Sequence, residues 1–284
     1  MIDVRDLRFT YPRAADAALC DISFDVQAGE IFGFLGPSGA GKSTTQKLLV
    51  GLLEPGAGEV RVFGRAPRAQ GRSLYTRIGV SFETPNLYGR LTGRENLEFF
   101  ASLYPGRTED PAALLALVGL DDAADQRTAH YSQGMRMRLN FCRALLPSPE
   151  LLVLDEPTLG QDPQNARRLK QIIRVRRDAG VTVFLTTHDM TVAAELCDRV
   201  AFLVGGRIAT VDAPRTLMVR HGQRRIRVEL RNGEAIERRE FDLDGLGRND
   251  AFLDLLRTRE IETLHTLDAT LEDVFLVVTG RSLA

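Results

Sequence analysis

No apolar run in these 284 residues approaches the roughly 18 needed for a helix to cross a bilayer, so no membrane span is expected. Cysteine is scarce. Cys20, Cys142 and Cys197 are single, widely spaced and odd in number, which fits reduced, buried thiols better than disulfides or a zinc site. Lysine stands only at positions 42, 47 and 170, and arginine supplies the other basic residues. With 37 basic and 38 acidic side chains the formal net charge is −1. The chain thus lacks the basic excess that neutralises nucleic-acid phosphates, and no nucleic-acid partner is expected. No charged-then-apolar leader opens "MIDVRDLRFT", which predicts a cytoplasmic location. The remaining composition, 44% hydrophobic and 26% charged, suits one large globular domain plus a small one.

Against this background "GPSGAGKST" stands out: Gly36, Pro37, Ser38, Gly39, Ala40, Gly41, Lys42, Ser43 and Thr44. The preceding "EIFGFL" has the branched and aromatic character of a buried strand, and in the following "STTQKLLVGLL" Leu48, Leu49, Leu52 and Leu53 fall at helical spacing. Strand, glycine loop and helix in that order form a P-loop. Its exposed amide N–H groups and the positive helix end cradle anionic oxygens, so the loop should hold a nucleotide such as ATP. Lys42 would reach the β- and γ-phosphates, and the Ser43 hydroxyl would ligate Mg²⁺.

A second stretch, "LLVLDEPT", is a continuous apolar strand, Leu151 to Leu154, ending in Asp155 and Glu156. At the carboxyl end of a buried strand Asp155 can hold Mg²⁺ through its water shell. Glu156 can orient or deprotonate the water that attacks the γ-phosphate. Between the two motifs lies "HYSQGMRMRLNFCRALL". Here Ser132 is a good N-cap, and Met135, Leu139 and Cys142 share one helical face, with Arg136, Arg138 and Arg143 elsewhere.

Taken together and in order, "GPSGAGKST", "YSQGM" and "LLVLDEP" resemble the ATP-binding cassette (ABC) ATPases over about residues 1–215. The resemblance implies an α/β P-loop NTPase fold with a helical subdomain at about residues 84–150. It makes Tyr11 in "RFTYP" the aromatic that stacks on adenine, and Glu83 in "SFETP" the Q-loop metal ligand. Ser132, Gln133 and Gly134 become the signature motif, Asp162 in "LGQDP" the D-loop residue, and His188 in "TTHDM" a γ-phosphate contact. It further implies a homodimer in which each signature helix faces the ATP held by the other subunit. His130, His221 and His265 have no such setting and are read as structural or exposed.

Four positions depart from the family pattern. Glu83 replaces glutamine, offering a charged oxygen and no donor, and is predicted to ligate metal more tightly. Gln133 and Met135 replace glycine and glutamine in the signature, a form that resembles bacterial exporter ATPases paired with separate membrane subunits. Gln161 replaces leucine in the D-loop, and the sequence supplies no physical account of it.

Between these motifs Thr92 and Glu95 form a capping box. Asp110 and Pro111 open a helix that Gly119 closes, Asp162 and Pro163 open a long helix closed by Gly180, and "VTVFLTT" is a strand. From about residue 216 to residue 284 the pattern changes. A hairpin at Asn232 and Gly233, the helix "NDAFLDLLRTRE", the strand "IETLHTLDA" and the helix "TLEDVFLVVTG", capped by Thr270 with Asp273 and ended by Gly280, make a small α+β domain. It is expected to pack on the ATPase and stabilise the dimer. Its tail is similar to drug-resistance exporter ATPases of the daunorubicin and fluoroquinolone type.

The resulting expectation is the ATP-hydrolysing subunit of a two-component exporter of drugs or lipids. It would sit on the inner face of the cell membrane through a separately encoded polytopic permease. The alternatives are a soluble ABC ATPase acting on ribosomes or DNA, and a nucleotide-dependent scaffold without turnover. The first usually carries two cassettes or a long coiled coil, and this chain has one cassette and no sustained heptads. The second is disfavoured by Glu156.

Overall fold

The computed structural model describes residues 1–222, 224–232, 235–267 and 269–280. The chain forms two compact units, Met1–Ala213 and a second beginning at Pro214.

In the first unit, β1 (Ile2–Phe9) and β2 (Leu19–Val26) alternate apolar and polar residues, as strands with one solvated face do. β3 (Ile31–Leu35) is instead buried at every position. It leads through the glycine loop into α1 (Lys42–Leu49) and then β4 (Ala57–Val62). β1 pairs with β2 and β4 in a three-stranded antiparallel sheet. α1 is shorter than the leucine spacing predicts. The chain turns at Gly51, where φ is 76°, so Leu48 and Leu49 lie on the helix and Leu52 is left 57% exposed.

Two short helices, α2 (Pro67–Gln70) and α3 (Arg72–Tyr75), precede β5 (Ile78–Ser81). Three further helices follow: α4 (Gly93–Ser102), α5 (Pro111–Leu117) and α6 (Gln133–Leu145), packed on one another. Thr92 and Glu95 complete the predicted capping box, and Asp110 and Ser132 cap the other two. Arg138, on α6, is buried at 9% exposure, and Met135 is only half-buried. β5 packs against α6 so closely that a Cβ on Gly79 would collide with the Ala144 carbonyl.

The remainder of this unit is β6 (Leu151–Asp155), α7 (Pro163–Asp178), β7 (Thr182–Thr187), α8 (Met190–Leu196), β8 (Arg199–Val204) and β9 (Arg207–Asp212). Six strands form one sheet in the order β5-β6-β7-β3-β8-β9, parallel except for β9. β3, β6 and β7 are buried along their whole length, as parallel strands covered on both faces must be. Phe24, Phe32, Phe34 and Phe184 cluster over this sheet with ring centroids 5.2 to 6.1 Å apart. Register sets Leu35 opposite Thr187 and Asp155 opposite Thr186, so the carboxyl ends of the three central strands lie side by side.

The second unit contains α9 (Pro214–His221), β10 (Arg225–Asn232), β11 (Ala235–Asp242), α10 (Asp250–Thr258), β12 (Ile261–Thr266) and α11 (Leu271–Thr279). The sheet order is β11-β10-β12, antiparallel. Ile226, Val228 and Leu230 pack against Phe252 and Leu255 of α10, while α11 packs on α9. The predicted Thr270–Asp273 capping box and left-handed Gly280 bound α11. Gly233, predicted in the hairpin turn, lies outside the described residues. Cys142 and Cys197 are buried, and burial pushes both thiols up so that they stay protonated. Cys20 is only half-buried, contrary to expectation. Among the described residues no helix is long and apolar enough to cross a membrane.

Candidate active site

Ligands of open parallel sheets bind beyond the carboxyl ends of the strands, and here a cavity of about 380 Å³ opens where β3, β6 and β7 end. Its first wall is the glycine loop. Gly41, at φ 109°, is the N-cap of α1 and offers no side chain to satisfy the first helical amides, leaving them for an anion. Lys42 is buried, and its Nζ donates to the Gly36 carbonyl at 2.6 Å and the Pro37 carbonyl at 3.1 Å. Burial holds the Lys42 ammonium below the usual lysine range, opposed by the nearby charges of Glu156, Asp155 and Glu83.

The facing wall is acidic. Asp155 ends β6 and accepts from Ser43 Oγ at 3.3 Å and from the Thr186 hydroxyl of β7. Gln46, buried on α1, braces this corner, donating to the Leu154 carbonyl and to Thr186 Oγ1 at 3.0 Å each. Glu156 follows with φ 46°, a conformation that turns its side chain out of the strand direction. Its Oε2 accepts from Thr187 Oγ1 at 2.8 Å. Its Oε1 accepts from the His188 amide at 2.9 Å and lies 2.7 Å from His188 Nδ1. A carboxylate acceptor puts the imidazole proton on Nδ1 and leaves Nε2 free on a side chain that is 52% exposed.

Tyr11, Ser38, Gly39, Thr44 and Glu83 also line the cavity. The Tyr11 hydroxyl lies 3.1 Å from Thr44 Oγ1, and its ring meets Phe9 edge-on at 4.9 Å. Glu83 is exposed just past β5. The strand end before it is held by Asn140 of α6, which donates to Ser81 Oγ at 3.0 Å and the Phe82 carbonyl at 2.9 Å. Gly36, Pro37 and Ala40 belong to the loop behind this lining. Ser132, Gln133, Gly134 and Asp162 are absent from its walls. Ser132 Oγ accepts from the Met135 amide at 3.2 Å, and Asp162 accepts from the Asn165 amide at 2.9 Å. Hydrogen bonds from Asn165 hold the Asp162 carboxyl below the usual carboxylate range.

Sequence reading passed over Gln46, Thr186 and Thr187, which orient the two acids. Their signal was polarity where the pattern demands apolar residues: a glutamine in a helix facing the sheet, and two threonines ending a buried strand. It also left Gln161 without an account, and here its Nε2 donates to the Gly134 carbonyl at 3.1 Å.

The ABC transporter family model matches residues 19–159, and the model of the fluoroquinolone efflux ABC transporter C-terminal domain matches residues 224–268. A fluoroquinolones export ATP-binding protein of Mycobacterium tuberculosis is 55% identical over 284 residues, covering 100% of this chain and 94% of that protein. The chain belongs to the ABC transporter ATP-binding family. A second member of that ABC family, Nod factor export ATP-binding protein I of Neorhizobium galegae, is 36% identical over 279 residues, covering 92% of this chain and 80% of the relative. Among solved ABC structures, a dimeric, post-hydrolysis ATP-binding cassette bound to ADP and Pi superposes with a TM-score of 0.69. It is 26% identical and covers 75% of this chain and 98% of its own. The α/β P-loop fold of ABC ATPases is therefore the fold of this chain, and ATP hydrolysis is its chemistry.

Proposed function

We propose that this ABC ATPase powers an exporter whose cargo is a drug of the fluoroquinolone class, acting as a homodimer beneath a separately encoded permease. The observation that carries the catalytic part is the Glu156 carboxylate. It is locked by Thr187 and His188 in the same cavity as the Lys42 ammonium and the Ser43 hydroxyl. The cargo rests on the matched C-terminal domain and on the exporters named among the relatives.

In this reading the loop amides and Lys42 hold the phosphates, Lys42 exchanging its two carbonyl acceptors for phosphate oxygens. The adenine lies on Tyr11. Ser43 Oγ and Asp155 Oδ2, 3.3 Å apart, are hard oxygen donors of the kind Mg²⁺ takes and fit that ion, with Glu83 adding a further oxygen. Bound there, it would neutralise phosphate charge as the bond to the γ-phosphorus breaks. Glu156 orients water and takes its proton on a carboxylate oxygen, and His188 keeps that carboxylate aimed while offering Nε2 toward the phosphate. Ser132, Gln133 and Gly134, outside the cavity at the start of α6, would meet the ATP of the partner subunit. Asp162 would stand at the same interface.

The test is ATP hydrolysis by the purified chain, alone and with the membrane protein that co-purifies from gently solubilised membranes. Turnover that vanishes in Glu156→Gln, together with a stoichiometric polytopic partner and drug accumulation in cells lacking either gene, supports the reading. Recovery with ribosomes or DNA and no membrane partner would sink it.

A further inference from the structure

Gln161 replaces the usual D-loop leucine, and the structure gives it a partner 27 residues away in sequence: its Nε2 donates to the carbonyl of Gly134 in the signature loop of the same chain. The approach is close at Gly134, where an added Cβ would stand 3.1 Å from the Gly160 carbonyl, while one on Gly160 would make an ordinary 3.9 Å contact with the Gln133 side chain. Leucine at 161 could fill space here but could donate nothing.

One turn further along both helices a second bridge joins them. Asn165 Nδ2 donates to Asp162 Oδ2 at 2.6 Å, and its Oδ1 accepts from Arg138 Nη1 at 2.6 Å. That nitrogen also donates to the Val118 carbonyl at 3.1 Å, next to the end of α5. Arg138 is nine-tenths buried and its Nε already lacks a partner, so separating the helices would take a further hydrogen bond from a group with little access to water. The first two turns of α6 are thus tied to the D-loop and the first turn of α7 by two side-chain bridges, one half-buried and built on Gln161, the other built on the buried Arg138.

We propose that Gln161 is a positioning residue that clamps the D-loop to the signature loop of its own chain, so that Gln133–Gly134 and Gly160–Asp162 shift as one body. The consequence for turnover rests on the homodimer reading. A signature loop that meets the partner's ATP carries the D-loop with it, so the opening of one composite site is felt at the D-loop of the same subunit.

The first experiment needs no dimer. Hydrogen–deuterium exchange is measured on the nucleotide-free full chain, on Gln161→Glu, which keeps the shape but removes the donor, and on Gln161→Leu. Exchange at residues 133–136 should quicken by about three- to tenfold in both variants, the span expected for one lost hydrogen bond. β3, β6 and the melting temperature should stay unchanged. Unchanged exchange at 133–136, or a rise spread evenly over the whole unit, overturns the proposal.

The second experiment places both substitutions in a Glu156→Gln background and follows ATP-driven dimerisation by sedimentation, with nucleotide affinity of the monomer measured separately. Weaker dimerisation at unchanged monomer affinity is expected, a split that a general loss of structure would not produce. Equal dimerisation overturns the coupling. If Glu156→Gln itself does not dimerise with ATP, the homodimer reading fails, and the exchange experiment alone decides the clamp.

Discussion

The two units use the same charged vocabulary in opposite surroundings. In Met1–Ala213 the ionic and amide groups that matter are buried: Lys42, Asp155 and Glu156 at the cavity, with Gln46, Asn140 and Arg138 behind it. Each hydrogen-bonds to named partners, although Gln46 Oε1, Asn140 Oδ1 and Arg138 Nε are buried without one. In the unit from Pro214, β10 presents Arg225, Arg227 and Arg231 to Glu240 and Glu262 in pairs open to water. Pairing in water gains little because screening and side-chain entropy offset it, whereas a buried group without its partner is expensive. The first arrangement fixes positions. The second keeps a sheet face solvated over a small core.

The largest effect that would sharpen this contrast lies in chemistry. Replacing Glu156 by Gln should lower ATP turnover by ~10²- to 10⁴-fold, the range for a positioned general base, with nucleotide still bound. Lys42→Ala should lose nucleotide binding as well, read by equilibrium titration. If Glu156→Gln keeps most of its turnover, the buried cluster has another purpose and the contrast collapses.

Stability comes next. Phe184 touches three other rings and is fully buried, so Phe184→Ala should cost about 3–5 kcal/mol in denaturant unfolding. A cost below 1 kcal/mol would mean that the sheet core can close over the loss.

A smaller effect is protonic. Burial lowers the Lys42 pKa in the free protein, and phosphate oxygens favour the ammonium, so binding raises it. Nucleotide affinity should be highest below the free-protein pKa. It should decline as pH rises through that value toward the higher one of the complex, with net proton uptake in between. Calorimetry in buffers of different ionisation enthalpy reads this uptake, and release instead of uptake would contradict the assignment.

The smallest effect is expected at the open sheet face. Arg227→Ala should leave the melting curve of the second unit unchanged, and the wild-type curve should shift little with salt. A clear loss would show that the pairs with Glu240 form a cooperative network after all.

Much of this molecule is legible in its sequence because the signals are local. Thr92 with Glu95 and Thr270 with Asp273 announce helix starts within four residues, and "GPSGAGKST" combines its turn, its charge and its helix end in one stretch. The end of α1 was misread because Leu52 and Leu53 continue a helical spacing that Gly51 interrupts. What stays hidden depends on groups far apart in the chain. Thr186 and Thr187 bear on Asp155 and Glu156 only because β6 and β7 are neighbours in the sheet, and Gln161 has a purpose only once α7 starts beside α6. The left-handed turn at Glu156 likewise has no glycine to announce it.

Gly79 has a mechanical consequence. With the backbone of β5 seated directly on the carbonyl of Ala144, the carboxyl-terminal end of α6 is pinned, and the far end of a 13-residue rod roughly 20 Å long carries Ser132 and is tied only by side chains. The helix is a lever with its fulcrum at a hydrogen atom. A single added methyl group at residue 79 would push on Ala144, and the load would reach the bridges to Gln161 and Asn165 at the far tip, where no altered residue could be found.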